Sequence, residues 1–231
     1  MTTNPLTDRT VLITGATGGL GTALASRLHD RGLRVVLAAR DLGAARSAAQ
    51  RIGPRCDAVE LDVTADESVA SARKTVGPVD VLINNAGIMI DGGQTPLTIP
   101  LDLVSQHIAV NALGAWRVSQ AFVPDMVRAG WGRVVMVSSG TGAFSNGIFT
   151  GAPAYSVSKT TLNAITVLLA TQTRDTGVLV NAVNPGLVRT RMAPQARREP
   201  EDAAVDIEYA VTLPEDGPSG VFFRSGHQID W

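Results

Sequence analysis

The sequence predicts an α/β fold: a doubly wound, mainly parallel, seven-stranded sheet with helices on both faces. Short apolar, β-branched runs alternate along the chain with segments of helical periodicity. Most of these runs are continuously apolar, which is typical of strands covered on both faces in a parallel sheet. The 231 residues are 45% hydrophobic and 18% charged, with no linker or repeat to divide them. We therefore expect one domain over residues 1–231.

Six apolar runs are predicted as strands, and a seventh is expected near the end of the chain. After the first run, Leu20, Leu24 and Leu28 share one helical face, and Gly32 follows as a helix terminator. Because strand-helix-strand crossovers are right-handed, the ligand crevice should lie beyond the carboxyl ends of the strands. A helix over about residues 201–212 should precede the last strand. The predicted strands are residues 10–14, 34–39, 57–61, 80–84, 133–138, 177–183 and, last, 219–226.

Charge and composition exclude several classes of partner. The formal net charge is -1 and the basic residues are scattered, so neither nucleic acid nor an anionic membrane is an expected partner. Cys56 is the only cysteine and cannot form an internal disulfide. The polar start MTTNPLTDRT lacks the layout of a signal peptide, and no apolar run approaches the roughly 20 residues that span a bilayer. These features predict a cytoplasmic protein with a small-molecule ligand.

A glycine-rich turn follows the first strand. The stretch TGATGGLG places Gly15, Gly19 and Gly21 between that strand and the first helix. Glycine removes the Cβ atoms that would block a diphosphate, and the helix N-terminus presents backbone N–H groups to the anion. Such turns are common, but this one follows an apolar strand and opens an amphipathic helix. The turn therefore predicts a Rossmann-type dinucleotide site.

The end of the second strand bears on the choice of dinucleotide. A free ribose 2′-hydroxyl favours a carboxylate there, but the chain has Ala39 followed by Arg40, whose guanidinium suits a 2′-phosphate. The alternative is a solvated arginine, with Asp41 capping the next helix. Asp62, at the end of the third strand, could accept a hydrogen bond from adenine or could cap a helix. NADP(H) is the preferred cofactor, and NAD(H) is the alternative.

Polar residues follow the fourth and fifth strands. The fourth ends in NNAG, residues 84–87, where small residues admit a ligand and the two amides can join neighbouring strands. The fifth ends in VVMVSSGTG, and because side chains alternate along a strand, only one of Ser138 and Ser139 should face the crevice. We choose Ser139. A serine at a strand end is otherwise an ordinary turn residue.

The stretch YSVSK places Tyr155 and Lys159 four residues apart on one helical face. A tyrosine with an ordinary pKa near 10 is a poor proton donor at neutral pH. An adjacent ammonium and the positive charge of a nicotinamide should lower that pKa and permit general acid/base chemistry. A surface helix is the alternative for such a pair taken alone.

Together these motifs resemble the short-chain dehydrogenase/reductase family over nearly the whole chain. The resemblance rests on TGATGGLG, NNAG, the asparagine of VNALG, SSG, YSVSK and NPGLVRT, in family order. It implies that Tyr155 donates a proton to a carbonyl, that Ser139 orients this carbonyl, and that Lys159 holds the nicotinamide ribose. Asn111 would hold a water in a proton relay, although by sequence alone it could equally cap or kink its helix.

The resemblance also implies a set of cofactor contacts. Backbone after Pro185 and Gly186, with the hydroxyl of Thr190, would fix the nicotinamide carboxamide. The implied cofactor-binding residues are Gly15, Thr17, Gly19, Leu20, Gly21, Arg40, Asp62, Val63, Asn85, Ala86, Gly87, Tyr155, Lys159, Pro185, Gly186, Val188 and Thr190.

Two departures from the family pattern concern the pocket and the assembly. More residues than usual separate Ser139 from Tyr155, so Ser138 is kept as the alternative catalytic serine, and Phe144 and Phe149 should border the substrate pocket. The tail EDGPSGVFFRSGHQIDW resembles that of carbonyl-reductase-like members rather than the longer tail of many tetrameric ones, and a homodimer is the candidate assembly.

The resulting functional hypothesis is an NADPH-dependent carbonyl reductase, or the reverse alcohol dehydrogenase, acting on a small or medium ketone or aldehyde. A nicotinamide-dependent epimerase fits less well, because the chain has no sizeable C-terminal substrate domain. A redox-sensing regulator that binds NADP(H) without turnover is the alternative from another class. No metal is expected, because the three histidines have no ligand-like spacing.

Overall fold

The computed structural model describes residues 6–145 and 147–231, and its centre is one mainly parallel sheet. The strand order is β3-β2-β1-β4-β5-β6-β7-β8, with every neighbouring pair parallel except β7 and β8. This is the doubly wound arrangement that the sequence predicts. The strands are β1 Thr10–Thr14, β2 Arg34–Ala39, β3 Cys56–Glu60, β4 Val81–Asn84, β5 Gly132–Val137, β6 Val178–Val183, β7 Phe222–Arg224 and β8 His227–Ile229.

Helices cover both faces of the sheet, and the strand side chains divide between two apolar cores. Val11 and Ile13 of β1 point into one core with Leu24 of α1 and Ile207 of α7. Leu12 points into the opposite core, which is why the strands lack an apolar/polar alternation. The helices are α1 Gly19–Asp30, α2 Leu42–Ile52, α3 Asp66–Val76, α4 Leu101–Ile108, α5 Ala115–Ala129, α6 Pro153–Gln172 and α7 Pro200–Val211. A π-helical segment, Ala109–Gly114, joins α4 to α5.

The prediction of seven strands is wrong, because the last apolar run forms a hairpin rather than a single strand. Ser225 and Gly226 both have positive φ, 49° and 76°, and they form the two-residue turn that sends β8 back antiparallel to β7. Trp231 then stacks on Phe222 with ring centroids 5.2 Å apart. The helix expected over about 201–212 is confirmed as α7.

The order of strands reverses beside β1, which pairs with β2 on one side and β4 on the other. Helices leave in opposite directions there, so the carboxyl ends of β1 and β4 open into a crevice. The glycine turn and the segment after β4 lie at this point. In the part of the chain that the structure describes, no helix is both long and apolar enough to cross a membrane. The polar start of the chain lies partly outside the described residues.

Candidate active site

Two glycines of the turn after β1 are required by the fold itself. Gly15 has φ of 64°, and a Cβ atom there would come within 2.8 Å of the Ala86 Cα. At Gly21 a Cβ would lie 2.7 Å from the Cα of Ala16. Neither neighbour is the movable end of a side chain, so only glycine lets the turn and α1 pack this closely against the β4 end.

Gly19 differs, because the protein itself leaves room for a side chain there. A Cβ at Gly19 would find Pro200 at 3.5 Å and Thr190 at 3.7 Å, which are ordinary contacts. Gly19 begins α1, whose N-terminus has no side-chain cap and no acidic residue in its first turn. Its backbone N–H groups therefore suit a diphosphate. Half-buried Thr17 and Leu20 flank the same turn.

The ends of β2 and β3 carry the two residues predicted to meet the adenosine. Arg40 is exposed just beyond β2, and Asp41 caps α2 by accepting the backbone N–H of Ala44 at 2.9 Å. Asp62 accepts from the hydroxyl and the backbone N–H of Thr64, which holds the pKa of Asp62 below its ordinary value, with Arg40 adding to the effect. The helix-cap alternative for Asp62 is wrong, because Ala65 occupies the N-cap position of α3.

The segment after β4 joins the two sides of the crevice. The amide of Asn85 donates to the carbonyl of Thr14 at 2.9 Å, and the backbone N–H groups of Asn85 and Ala86 both donate to the Thr14 hydroxyl. Asn84 instead reaches Ser119 of α5 at 3.1 Å. Asn85 therefore joins the ends of the neighbouring strands β1 and β4, as predicted, whereas this contact of Asn84 joins β4 to a helix. The side chain of Val63 is buried and occupies the space that a Cβ atom on Gly114 would need.

Asn111 lies in the π-helical segment and fastens the backbone after Gly87. Its Oδ1 accepts the Ile88 N–H at 2.8 Å, and its Nδ2 donates to the Ile88 carbonyl at 2.9 Å and to Ser158 Oγ at 2.9 Å. A Cβ on Gly87 would lie 3.3 Å from Asn111 Oδ1 and 3.7 Å from Lys159 Nζ. Short π segments inside helices recur at functional sites, and here the segment carries the amide that fixes the backbone of Ile88.

The two serines after β5 have different surroundings. Ser138 is buried and donates to Asn163 Oδ1 at 2.5 Å, so its hydroxyl is used within the core. Ser139 accepts from the hydroxyl of Thr141 at 3.0 Å and faces Tyr155, whose pKa it lowers. The geometry therefore favours Ser139 over Ser138 as the serine of the crevice.

Tyr155 and Lys159 lie together on α6, but their electrostatics differ from the expectation. Burial raises the pKa of Tyr155 to about 12, partly offset by Ser139 and reinforced by Asp91. Burial disfavours the charged form of Lys159 as well, and so lowers its pKa to about 8. Lys159 Nζ lies 5.5 Å from the centre of the phenol ring and donates to the carbonyl of Val137 at 2.7 Å. The expectation that this ammonium lowers the Tyr155 pKa is therefore wrong for the protein without a cofactor, where desolvation is the largest effect.

The segment after β6 lies over the glycine turn. Gly186 has φ of 73° and donates its N–H to Asn184 Oδ1 at 2.9 Å, while the carbonyl of Pro185 accepts from Arg198 at 2.7 Å. Val188 is buried, and the Thr190 methyl is the group near Gly19. Two segments far apart in sequence therefore enclose one space at the N-terminus of α1.

Sequence reasoning missed two buried residues of this site, Asp91 and His107. Asp91 receives backbone N–H groups from the first turn of α6, and His107 lies beside it. The available signal was the position of His107, four residues before Asn111 and therefore on a similar helix face. Within the described ranges, no group of three or more His, Cys, Asp and Glu side chains could hold a metal ion.

Comparison with known proteins agrees with this geometry. The family model described as short chain dehydrogenase matches residues 9–201. The chain belongs to the short-chain dehydrogenase/reductase family. The chain is an oxidoreductase of this family, and the matched residues include the glycine turn, the serines after β5 and the Tyr155/Lys159 pair.

Individual members of the family cover nearly the whole chain. Oxidoreductase UcpA of Salmonella typhimurium is 34% identical over 230 residues, covering 90% of this chain and 82% of its own. An uncharacterised oxidoreductase of Staphylococcus aureus is 33% identical, covering 91% and 94%. Among solved structures, a variant of actinorhodin polyketide ketoreductase with NADPH has a TM-score of 0.82 at 29% identity, covering 94% and 95%. A 3-ketoacyl-(acyl-carrier-protein) reductase from Brucella melitensis with NADH has a TM-score of 0.84 at 25% identity, covering 96% and 98%.

Proposed function

We propose that this protein is an NADPH-dependent carbonyl reductase, or the reverse alcohol dehydrogenase, for a small or medium ketone or aldehyde. Residues 1–231 would act as a single dinucleotide-binding and catalytic domain. The observation that carries the proposal is the convergence of Ser139, Tyr155, Lys159 and Asn111 at the crevice beside the glycine turn. The two ketone reductases of similar fold, one with NADPH and one with NADH, support carbonyl chemistry and a nicotinamide cofactor.

The preference for NADP(H) rests on Arg40. Its side chain is exposed at the end of β2, where a carboxylate would favour a free 2′-hydroxyl. A guanidinium can bind a phosphate through two parallel hydrogen bonds, whereas an aspartate would repel it. NAD(H) is the alternative cofactor, and the affinity for each dinucleotide separates the two.

The cofactor, when bound, supplies the hydride that the carbonyl carbon receives. Tyr155 would supply the proton to the carbonyl oxygen. Because burial raises the pKa of the phenol, this transfer requires positive charge beside it, from Lys159 and the bound nicotinamide, to make the phenol a better donor. Ser139 faces the same position and can donate a hydrogen bond to the carbonyl oxygen. In alcohol oxidation the phenol must instead lose its proton, and that direction requires positive charge close to the phenolate.

Lys159 has the properties of a residue that binds the nicotinamide ribose and assists proton return. One of its N–H groups is fixed on the Val137 carbonyl, which leaves the others for hydroxyl groups in the crevice. A pKa of about 8 lets the amine exchange a proton near neutral pH. Asn111 holds the backbone beside Lys159, so a water between them could connect the amine to solvent.

The test is turnover of a ketone and aldehyde panel, followed by loss of NADPH absorbance. We expect Tyr155→Phe to reduce kcat by roughly 10²- to 10⁴-fold, the usual contribution of a general acid. Tyr209→Phe is the matched control, because Tyr209 packs on Phe223 away from the crevice. Equal turnover by Tyr155→Phe would refute the mechanism. NADPH binding without any turnover by the wild type would favour a redox-sensing regulator.

The homodimer remains a prediction, and α6 supplies a surface for it. Val157, Ala164 and Leu168 are exposed and spaced seven and four residues apart, so they form one apolar stripe. Two copies of this stripe could pack about a two-fold axis. The cytoplasmic location is likewise a prediction from the sequence.

A further inference from the structure

A carboxylate that is distant in sequence caps the helix that carries Tyr155. Asp91 Oδ2 accepts the backbone N–H of Ala154 at 2.7 Å and that of Tyr155 at 3.0 Å. The residue at the N-cap position of α6, Ala152, has no side-chain oxygen and makes no capping bond. Asp91 is therefore the group that satisfies the first turn of α6, and its negative charge lies at the positive end of the helix.

The second oxygen of the same carboxylate faces a buried histidine. Asp91 Oδ1 lies 3.2 Å from His107 Nε2, and both side chains are fully buried. No other donor reaches Oδ1 within the described residues. His107 Nδ1 lies 2.8 Å from the carbonyl of Leu103 and must carry a hydrogen to donate there. Nε2 is then the acceptor nitrogen of the ring: it accepts the backbone N–H of Ile90 at 3.2 Å and lies beside Oδ1.

The helix that carries His107 also carries Asn111, and both residues hold the same short segment. Asn111 binds both backbone groups of Ile88, and His107 lies 3.2 Å from the backbone N–H of Ile90 as well as beside Asp91. Residues 88–91 are thus fixed to α4 and the π segment at one side. Through Asp91 they are fixed to the start of α6 at the other.

We propose that Asp91, held by His107, is a positioning residue that fixes the first turn of α6 and, with it, the phenol of Tyr155. The inference rests on the proposed role of Tyr155 as proton donor. Asp91 touches the backbone of Tyr155 and neither substrate nor hydride, so it acts through the tyrosine. Among the described residues, the charged groups recorded beside Tyr155 are Asp91 and, from the next turn of α6, Lys159, while His107 contacts Asp91.

Two substitutions of Asp91 separate position from charge. Asp91→Asn keeps an oxygen for the two helix N–H groups and places an amide hydrogen toward His107 Nε2, so it should retain most of kcat. Asp91→Ala removes the cap, and a displacement of about 1 Å at a reacting group can cost about 10²-fold, so we expect kcat to fall by roughly 10- to 100-fold. KM for NADPH should change less than kcat, because the glycine turn, which is proposed to hold the diphosphate, is separate from this contact.

A second measurement does not depend on turnover. The chain has two tyrosines, so protein labelled with ¹³C at the tyrosine ζ carbon gives two signals, which Tyr209→Phe assigns. The Asp91 carboxylate contributes to the raised pKa of Tyr155, so the phenol of Asp91→Asn should begin to ionise at lower pH than that of the wild type. Asp80→Asn is the matched control, because Asp80 also accepts a backbone N–H, from Thr10 at 2.8 Å, at the opposite end of the strands.

The outcomes are distinct. Wild-type kcat in Asp91→Ala would overturn the inference, and so would an Asp91→Asn enzyme as impaired as Asp91→Ala. If Asp91→Ala does not fold, the titration decides: an unmoved Tyr155 signal in Asp91→Asn, or an equal movement in Asp80→Asn, overturns the inference. Absence of carbonyl turnover in the wild type would instead count against the proposed function, and the titration would still test Asp91.

Discussion

Gly19→Ala tests whether a ligand, rather than the fold, requires glycine at the start of α1. The new methyl group would meet Pro200 at 3.5 Å, Thr190 at 3.7 Å and the carbonyl of Arg189 at 3.9 Å, all ordinary contacts, so the protein can accommodate it. Alanine is favoured over glycine in helices by up to about 1 kcal/mol, so Tm should stay constant or rise by about 2–4 °C. A diphosphate held by backbone N–H groups would lose part of this contact. Hydrogen bonds to charged groups contribute about 1.5–3 kcal/mol, so the Kd for NADPH should rise roughly 10- to 150-fold.

Gly21→Ala, two residues along, should behave in the opposite way. Its Cβ would approach the Cα of Ala16 to 2.7 Å and the carbonyl of Gly15 to 2.8 Å, so backbone must shift. Overpacking costs about 1–3 kcal/mol, and a cost near 2 kcal/mol lowers Tm by about 4–8 °C in a chain of this size.

Thermal unfolding and titration of NADPH fluorescence measure both variants side by side. Wild-type affinity for NADPH in Gly19→Ala would refute the assignment of the diphosphate to the N-terminus of α1. Wild-type Tm in Gly21→Ala would refute the steric argument. A Gly19→Ala protein that loses Tm and affinity together would show that this glycine is also structural.

Three further predictions concern charge and assembly. The lowered pKa of Lys159, about 8 against 10.5, means that its folded ammonium costs about 3 kcal/mol below pH 8, and this cost disappears as pH rises from about 8 to 10.5. The unfolding free energy of the wild type should therefore rise in that window relative to Lys159→Met, and parallel pH curves for the two proteins would contradict the burial argument. Arg40→Ala should weaken NADPH binding about tenfold and leave NADH binding unchanged, as isothermal titration would measure; equal losses for both would contradict the 2′-phosphate role. Leu168→Glu should convert a homodimer to monomer in analytical ultracentrifugation, and an unchanged mass would exclude the α6 stripe as the interface.

Much of the fold was accessible from local pattern. Continuously apolar runs such as residues 10–14 identified buried parallel strands, and the helix before the last strand was found as α7. The hairpin of β7 and β8 was not predicted. Its turn requires a positive φ at Ser225, which serine rarely adopts and which the side-chain pattern does not indicate. The alternative prediction that Asp62 caps a helix was also wrong, because the Asp62 carboxylate accepts hydrogen bonds from Thr64, which precedes the helix.

In the site, too, local sequence predicted some features and missed others. Strand alternation predicted that only one of Ser138 and Ser139 faces the crevice, and the choice of Ser139 followed the family resemblance. The structure provides a physical reason, since the Ser138 hydroxyl donates to Asn163 in the core. The direction of the Tyr155 pKa could not be obtained from the YSVSK spacing. Spacing gives the nearness of Lys159, but desolvation depends on every atom packed around the phenol. Asp91 was missed because its contact with Ala154 crosses 63 residues and leaves no local signal, whereas the spacing of His107 from Asn111 was a signal that was not used.

The order of residues along the chain by itself determined the alternation of strands and helices, the glycine turn and the family, because each depends on neighbours within a few positions. Tertiary structure alone decided which carboxylate caps α6, which carbonyl accepts from the Lys159 ammonium, and how far burial raises the pKa of the Tyr155 phenol. Those properties depend on burial and on contacts between segments far apart in sequence, and both exist only once the chain has folded.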